Sequence, residues 1–182
     1  MKKNLSLLLF MLSLNSYAQD AVVEKSMFGI QAGYPGAWLN NELRLSRIIS
    51  LRTEAGLVFS SRKDFNRSPS TGITPVLTVE PRYYYNLNRR RERERTTANN
   101  SGDYFTVRLS YSMYQFYNNR PGEGLNNLFI IPMWGIRRSY GNHFNFESGA
   151  GLGQAYYFNN TSANQIRNLL VADLQLRVGY KF

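Results

Sequence analysis

The 182-residue chain has no cysteine and one histidine, His143. The first absence removes disulfides, thiolate metal sites and a cysteine nucleophile. The second leaves any imidazole chemistry, and any histidine-based metal site, dependent on one residue. Acidic residues are also scarce, 12 against 22 Lys and Arg, for a formal net charge of +10. After the first eighteen residues no apolar run is long enough for a membrane-spanning helix.

The N-terminus reads as an export signal. Met1-Lys2-Lys3 is a positive start, Leu5–Leu14 an apolar stretch, and Ser16-Tyr17-Ala18 places small residues at −3 and −1 before Gln19. Residues 1–18 are therefore expected to be a signal peptide, 19–26 a short periplasmic segment and 27–182 one β-barrel domain. An exported chain rarely meets nucleic acid, so lipid and lipopolysaccharide phosphates are the expected anionic neighbours.

Period-two alternation recurs through the rest of the sequence, and helical periodicity does not. Leu170, Ala172, Leu174, Leu176, Val178, Tyr180 and Phe182 share one face of a closing strand, with Val171, Asp173, Gln175, Arg177, Gly179 and Lys181 on the other. Similar patterns predict strands over 143–158, 127–139, 103–117 and 73–87, and three more between Met27 and Ser60. The apolar phase is even at Phe28, Ile30, Ala32 and Tyr34, then odd at Ala37, Leu39, Leu43 and Leu45. A type II turn at Tyr34-Pro35-Gly36-Ala37 would explain that switch, and a bulge at Gly36 is the alternative. With the turn, the expectation is an all-β fold, an eight-stranded antiparallel up-and-down transmembrane β-barrel. Ser46–Ser50 and Tyr140–Asn142 become short periplasmic turns, Asn88–Gly102 a longer periplasmic connection, and Ser61–Gly72, Asn118–Asn126 and Asn159–Asn168 outward loops.

A mean hydropathy of −0.40 does not contradict this, because alternate residues of a barrel strand are polar. Alternation alone leaves open which face points out, as a soluble ligand-binding barrel has the same period. Three features favour an apolar exterior. The apolar sets carry no charge, as lipid contact would require at about 2–4 kcal/mol per mid-bilayer Lys or Arg. The opposite faces carry both signs, with Arg suited to multidentate pairing. Aromatics gather at strand ends: Tyr83, Tyr85, Phe105, Phe144, Tyr180 and Phe182 at one, Phe59, Phe116, Tyr156 and Phe158 at the other. Glu42, Arg44, Arg52, Glu54, Glu80, Arg82, Arg108, Glu147 and Arg177 are the expected lumen ion-pair cluster.

The ending Leu174-Gln175-Leu176-Arg177-Val178-Gly179-Tyr180-Lys181-Phe182 resembles the C-terminal assembly signal of outer-membrane proteins, which implies recognition by the barrel-assembly machinery. Glu80-Pro81-Arg82-Tyr83-Tyr84-Tyr85-Asn86-Leu87, Asn100-Ser101-Gly102 and Pro132-Met133-Trp134-Gly135-Ile136-Arg137-Arg138 resemble blocks of an uncharacterised family of small Bacteroidota outer-membrane barrels. That resemblance implies fold and location, and no activity.

No catalytic, cofactor or metal residues are assigned. His143 opens a strand at a periplasmic turn, whereas lipid-modifying barrels work towards the outer leaflet, so a hydrogen-bonding role is expected of it. Gly149, Gly151 and Gly153 lack the helix and Lys of a phosphate loop and would instead make room for an opposing Arg, Trp or Tyr. Arg89, Arg90, Arg91, Arg93 and Arg95, with Glu92 and Glu94, offer a turn that could bind an anionic periplasmic or envelope-protein partner. The expected role is structural or accessory, with a narrow channel or small-ligand binder as the alternative and a lipid-modifying enzyme as a distant third.

Overall fold

The computed structural model describes residues 21–64, 67–113, 116–117, 126–158 and 167–182; the expected signal peptide lies outside them. Eight antiparallel strands follow one another: β1 (Ser26–Gly33), β2 (Gly36–Arg44), β3 (Ile49–Asp64), β4 (Arg67–Tyr84), β5 (Asp103–Ser112, continued by Phe116–Tyr117), β6 (Asn126–Tyr140), β7 (Phe144–Phe158) and β8 (Arg167–Lys181). Each pairs with its sequence neighbours. β1 also pairs with β8, Ile30 opposite Tyr180 and Ala32 opposite Val178, which closes the sheet into a barrel. Closure removes both edges, so no row of backbone donors is left open.

The period-two pattern decides the faces. Phe28, Leu39, Leu57, Leu77, Leu109, Leu152, Leu170, Leu174 and Val178 point outward, Leu174 being 80% exposed. Gln31, Glu42, Arg52, Glu80, Arg82, Glu147 and Arg177 are buried within the cylinder. The barrel is thus apolar outside and ionic inside. Aromatic rings collect around the end where the chain terminates: Tyr85 packs on Phe105 at 5.3 Å, Tyr180 on Phe144 at 5.4 Å and on Phe182 at 5.5 Å, and Phe28 stacks on Phe182 at 5.6 Å.

Four local expectations need correction. The first hairpin turns on Tyr34-Pro35, with Gly33 opposite Gly36 and a cis peptide before Pro35. That puts Pro third in the turn, as in type VI, rather than second in a type II turn over 34–37. The Ser61–Gly72 loop is largely strand: β3 and β4 stay paired through Arg62 opposite Ser70 and Asp64 opposite Arg67. The pairing continues past the apolar belt into a polar stretch, with a register shift between Arg62 and Asp64, and the hydrophobic pattern does not register it. Leu87 leaves the strand and opens a short helix, α1 (Leu87–Glu92), which turns it under the barrel.

The fourth concerns glycine. Among Gly149, Gly151 and Gly153, a side chain would strike the backbone or the side chains of Ile131 and Met133, not an Arg, Trp or Tyr. The glycines that clear space for large rings are Gly56, beneath Trp38, and Gly135, beneath Tyr104. The expected loops 118–126 and 159–168 fall almost wholly outside the described residues.

Candidate functional site

All eight strands send a polar side chain to one level of the lumen. β2 supplies Glu42, β3 Arg52 and Glu54, β4 Glu80 and Arg82, β5 Arg108, β6 Arg137, β7 Glu147, and β8 Asp173, Gln175 and Arg177, while β1 adds Gln31. Cross-strand register sets opposite charges face to face, with Glu42 opposite Arg52, Arg52 opposite Glu80 and Glu147 opposite Arg177.

The side chains close the contacts. Arg52 reaches Glu54 at 2.6 Å and Glu147 at 3.2 Å. Arg82 holds Glu80 at 2.7 Å and Glu147 at 3.0 Å, and its guanidinium lies 4.3 Å from the Tyr104 ring centre. Arg108 bridges Glu80 and Asp173, each at 2.6 Å, and Arg137 bridges Glu42 at 2.7 Å and Glu147 at 3.3 Å. Arg177 binds Glu54 at 2.8 Å and lies 3.8 Å over Trp38. Glu42 also accepts from Ser50 at 2.6 Å, Asn100 at 2.8 Å and Tyr84 at 2.9 Å.

Five guanidiniums (Arg52, Arg82, Arg108, Arg137, Arg177) therefore face five carboxylates (Glu42, Glu54, Glu80, Glu147, Asp173), so the network is formally neutral. Neutrality and dense hydrogen bonding are what buried charge requires. The interlocked charges are buried inside a barrel whose strand number leaves an interior just wide enough to be filled by side chains.

Eight of the nine residues expected in the cluster are in it. Arg44 is not. It has the inward parity but stands at the rim, exposed, with Nε donating to the Val23 carbonyl at 2.5 Å. Arg137 takes its place, and its signal in the sequence is weak because its face of β6 is otherwise led by Phe129, Ile131 and Met133. Asp173 has the inward parity and joins the cluster although it is not among the nine.

The base of the barrel is closed separately. Residues 21–25 cross it, with the Ala21 amide donating to Asn88 Oδ1 at 3.0 Å, Val23 to the Arg47 carbonyl at 2.9 Å and Glu24 to Asn100 Oδ1 at 2.7 Å. Ala21, Val23, Tyr84, Leu87 and Tyr104 form a small buried apolar cluster there. No periodicity marks these docked segments, so the sequence shows them only as a short N-terminal piece and a long connection.

In that connection Arg89, Arg91, Arg93 and Arg95 are exposed. Arg90 is not part of the exposed run: it is buried, and its Nε and Nη2 donate to the Thr96 carbonyl at 3.2 and 3.1 Å. His143 stacks on Tyr180 at 5.1 Å and its Nδ1 lies 2.9 Å from the Lys181 carbonyl. Among the described residues no cluster of His, Asp or Glu is arranged to hold a metal ion.

Above the ionic layer the lumen opens into a cavity of about 430 Å³. Arg108, Asp173, Gln175 and Arg177 lie at its floor; Thr74, Thr78, Ser110 and Ser112 line one wall, and Val76, Phe129 and Ile131 add apolar surface. No known protein family, curated protein or solved structure matches this chain.

Proposed function

We propose that this chain is a bacterial outer-membrane barrel whose lumen is sealed by its own charges, and that it serves a structural or accessory role rather than a conducting or catalytic one. The neutral five-against-five network, drawn from every strand but β1, is the observation that carries this reading. Ions crossing the barrel would have to displace these buried, hydrogen-bonded pairs, and would then meet the docked base formed by Val23, Leu87 and Tyr104.

The membrane part of the proposal is supported by the exterior. A belt of exposed Leu, Val, Ile and Phe on seven strands, continued by Trp134 on β6, would be a large aggregation surface in water and is a natural face for lipid tails. The alternating C-terminal strand ending in Phe182, and the resemblance to small Bacteroidota barrels, support the outer membrane and handling by the barrel-assembly machinery. The exposed Arg89, Arg91, Arg93 and Arg95 suit an anionic periplasmic or envelope partner.

Planar-bilayer recording tests the sealed lumen. Purified protein should insert without steady conductance. Stable, ion-selective steps that vanish with Arg82→Ala would establish a channel instead. Unchanged lipid A in cells overexpressing the protein is the expected result for a barrel with no lipid-modifying activity.

A further inference from the structure

The cavity above the ionic layer has a chemical preference of its own. The four glutamates of the network are wholly enclosed, but Asp173 is 29% exposed at the side chain. Its Oδ2 accepts from Arg108 Nη1 at 2.6 Å, and its Oδ1 takes no hydrogen bond from the described residues. A carboxylate has about four acceptor positions, so this one, lining the cavity, keeps capacity for a further donor.

The guanidiniums beside it are already engaged. Arg108 directs Nε to Glu80, Nη1 to Asp173 and Nη2 to Gln175, while Arg177 binds both oxygens of Glu54 through Nη1 and covers Trp38. An entering N–H donor finds an exposed carboxylate at Asp173. Higher up, hydroxyls at Thr74, Thr78, Ser110 and Ser112 stand near the apolar surface of Val76, Phe129 and Ile131. Thr78 and Ser110 satisfy each other at 2.8 Å.

We infer that the outward half of the barrel is a binding cup for a small organic cation, a primary or secondary ammonium on a compact and partly apolar body, with the ammonium on Asp173. A volume of about 430 Å³ falls in the lower part of the range for small-molecule sites, about 300–1,000 Å³. The inference needs a closed floor but no particular physiological role for the barrel.

The chain provides a reporter. Of its two tryptophans, Trp38 lines the cup and Trp134 lies on the outer surface. In a Trp134→Phe background folded in detergent, benzylammonium should change Trp38 emission saturably, and benzyl alcohol and benzoate should not. Asp173→Asn should weaken the benzylammonium response about tenfold or more, the loss of a charge-assisted hydrogen bond. Ser112→Phe, which narrows the cup without touching an ion pair, should abolish it. Both variants are first checked for the heat-dependent gel shift of a folded barrel.

A non-saturating response, equal binding of benzoate, or no effect of either folded variant would overturn the inference. Conductance of the same preparations, recorded in parallel, separates failure of the cup from failure of the sealed lumen.

Discussion

Removing the Arg82 guanidinium is the sharpest perturbation of the ionic layer. Arg82 makes four hydrogen bonds, two to Glu80 and two to Glu147, and lies against Tyr104. Arg82→Met keeps much of the packing against that ring but leaves five carboxylates facing four guanidiniums. Breaking one partner of a buried pair costs about 3–5 kcal/mol; the same change in a water-filled lumen would cost about 0–1 kcal/mol. The two cases are well separated.

The double variant Arg82→Met/Glu80→Gln restores the balance. Arg108 keeps Asp173 and Gln175, and Glu147 keeps Arg52, Arg137 and Gln175. Its destabilisation should fall short of the sum of the singles by about 1–3 kcal/mol. Urea titration in lipid vesicles, read as the folded fraction on unheated gels, measures all four proteins. Singles costing under about 1 kcal/mol, or strictly additive effects, would mean that water solvates the cluster and that the sealed-lumen argument is wrong.

Arg138→Ala, removing a half-exposed rim pair with Asp103, should cost under about 1 kcal/mol in the same titration. Gly56→Val drives a side chain into Trp38 and should cost about 1–3 kcal/mol by overpacking. Arg90→Ala frees the Thr96 carbonyl, and limited trypsin digestion should then cut the 89–95 segment faster than in the parent. Leu174→Arg, on the outer face, should destabilise the vesicle-folded protein by about 2–4 kcal/mol, against almost nothing for a barrel whose leucine faces water.

Strand number, closure and the two faces were legible because side-chain direction in a strand has period two, and a one-residue error reverses every side chain. Parity places a residue on a face but does not say how far along the barrel axis it lies. Arg44 therefore has the lumen's parity while it stands at the rim. The same limit hid Arg137, because β6 enters the lumen with apolar residues and no inward acid marks its level. With Arg137 and Asp173 in place of Arg44, the charges balance, a property no single strand displays. The docked base was invisible for another reason: Ala21–Lys25 donates backbone amides to the Asn88 and Asn100 side chains and to the Arg47 carbonyl, contacts that depend on tertiary position and leave no pattern in sequence.

The central claim is sidedness, and the two tryptophans report on it in one experiment. Single-tryptophan variants, Trp38→Phe and Trp134→Phe, are folded into bilayers containing phosphatidylcholine brominated along its acyl chains. Bromine quenches on contact, so Trp134, 40% exposed on the outer face, should be strongly quenched and Trp38, inside the cylinder, barely affected. Quenching of Trp38 with Trp134 left bright would contradict the account.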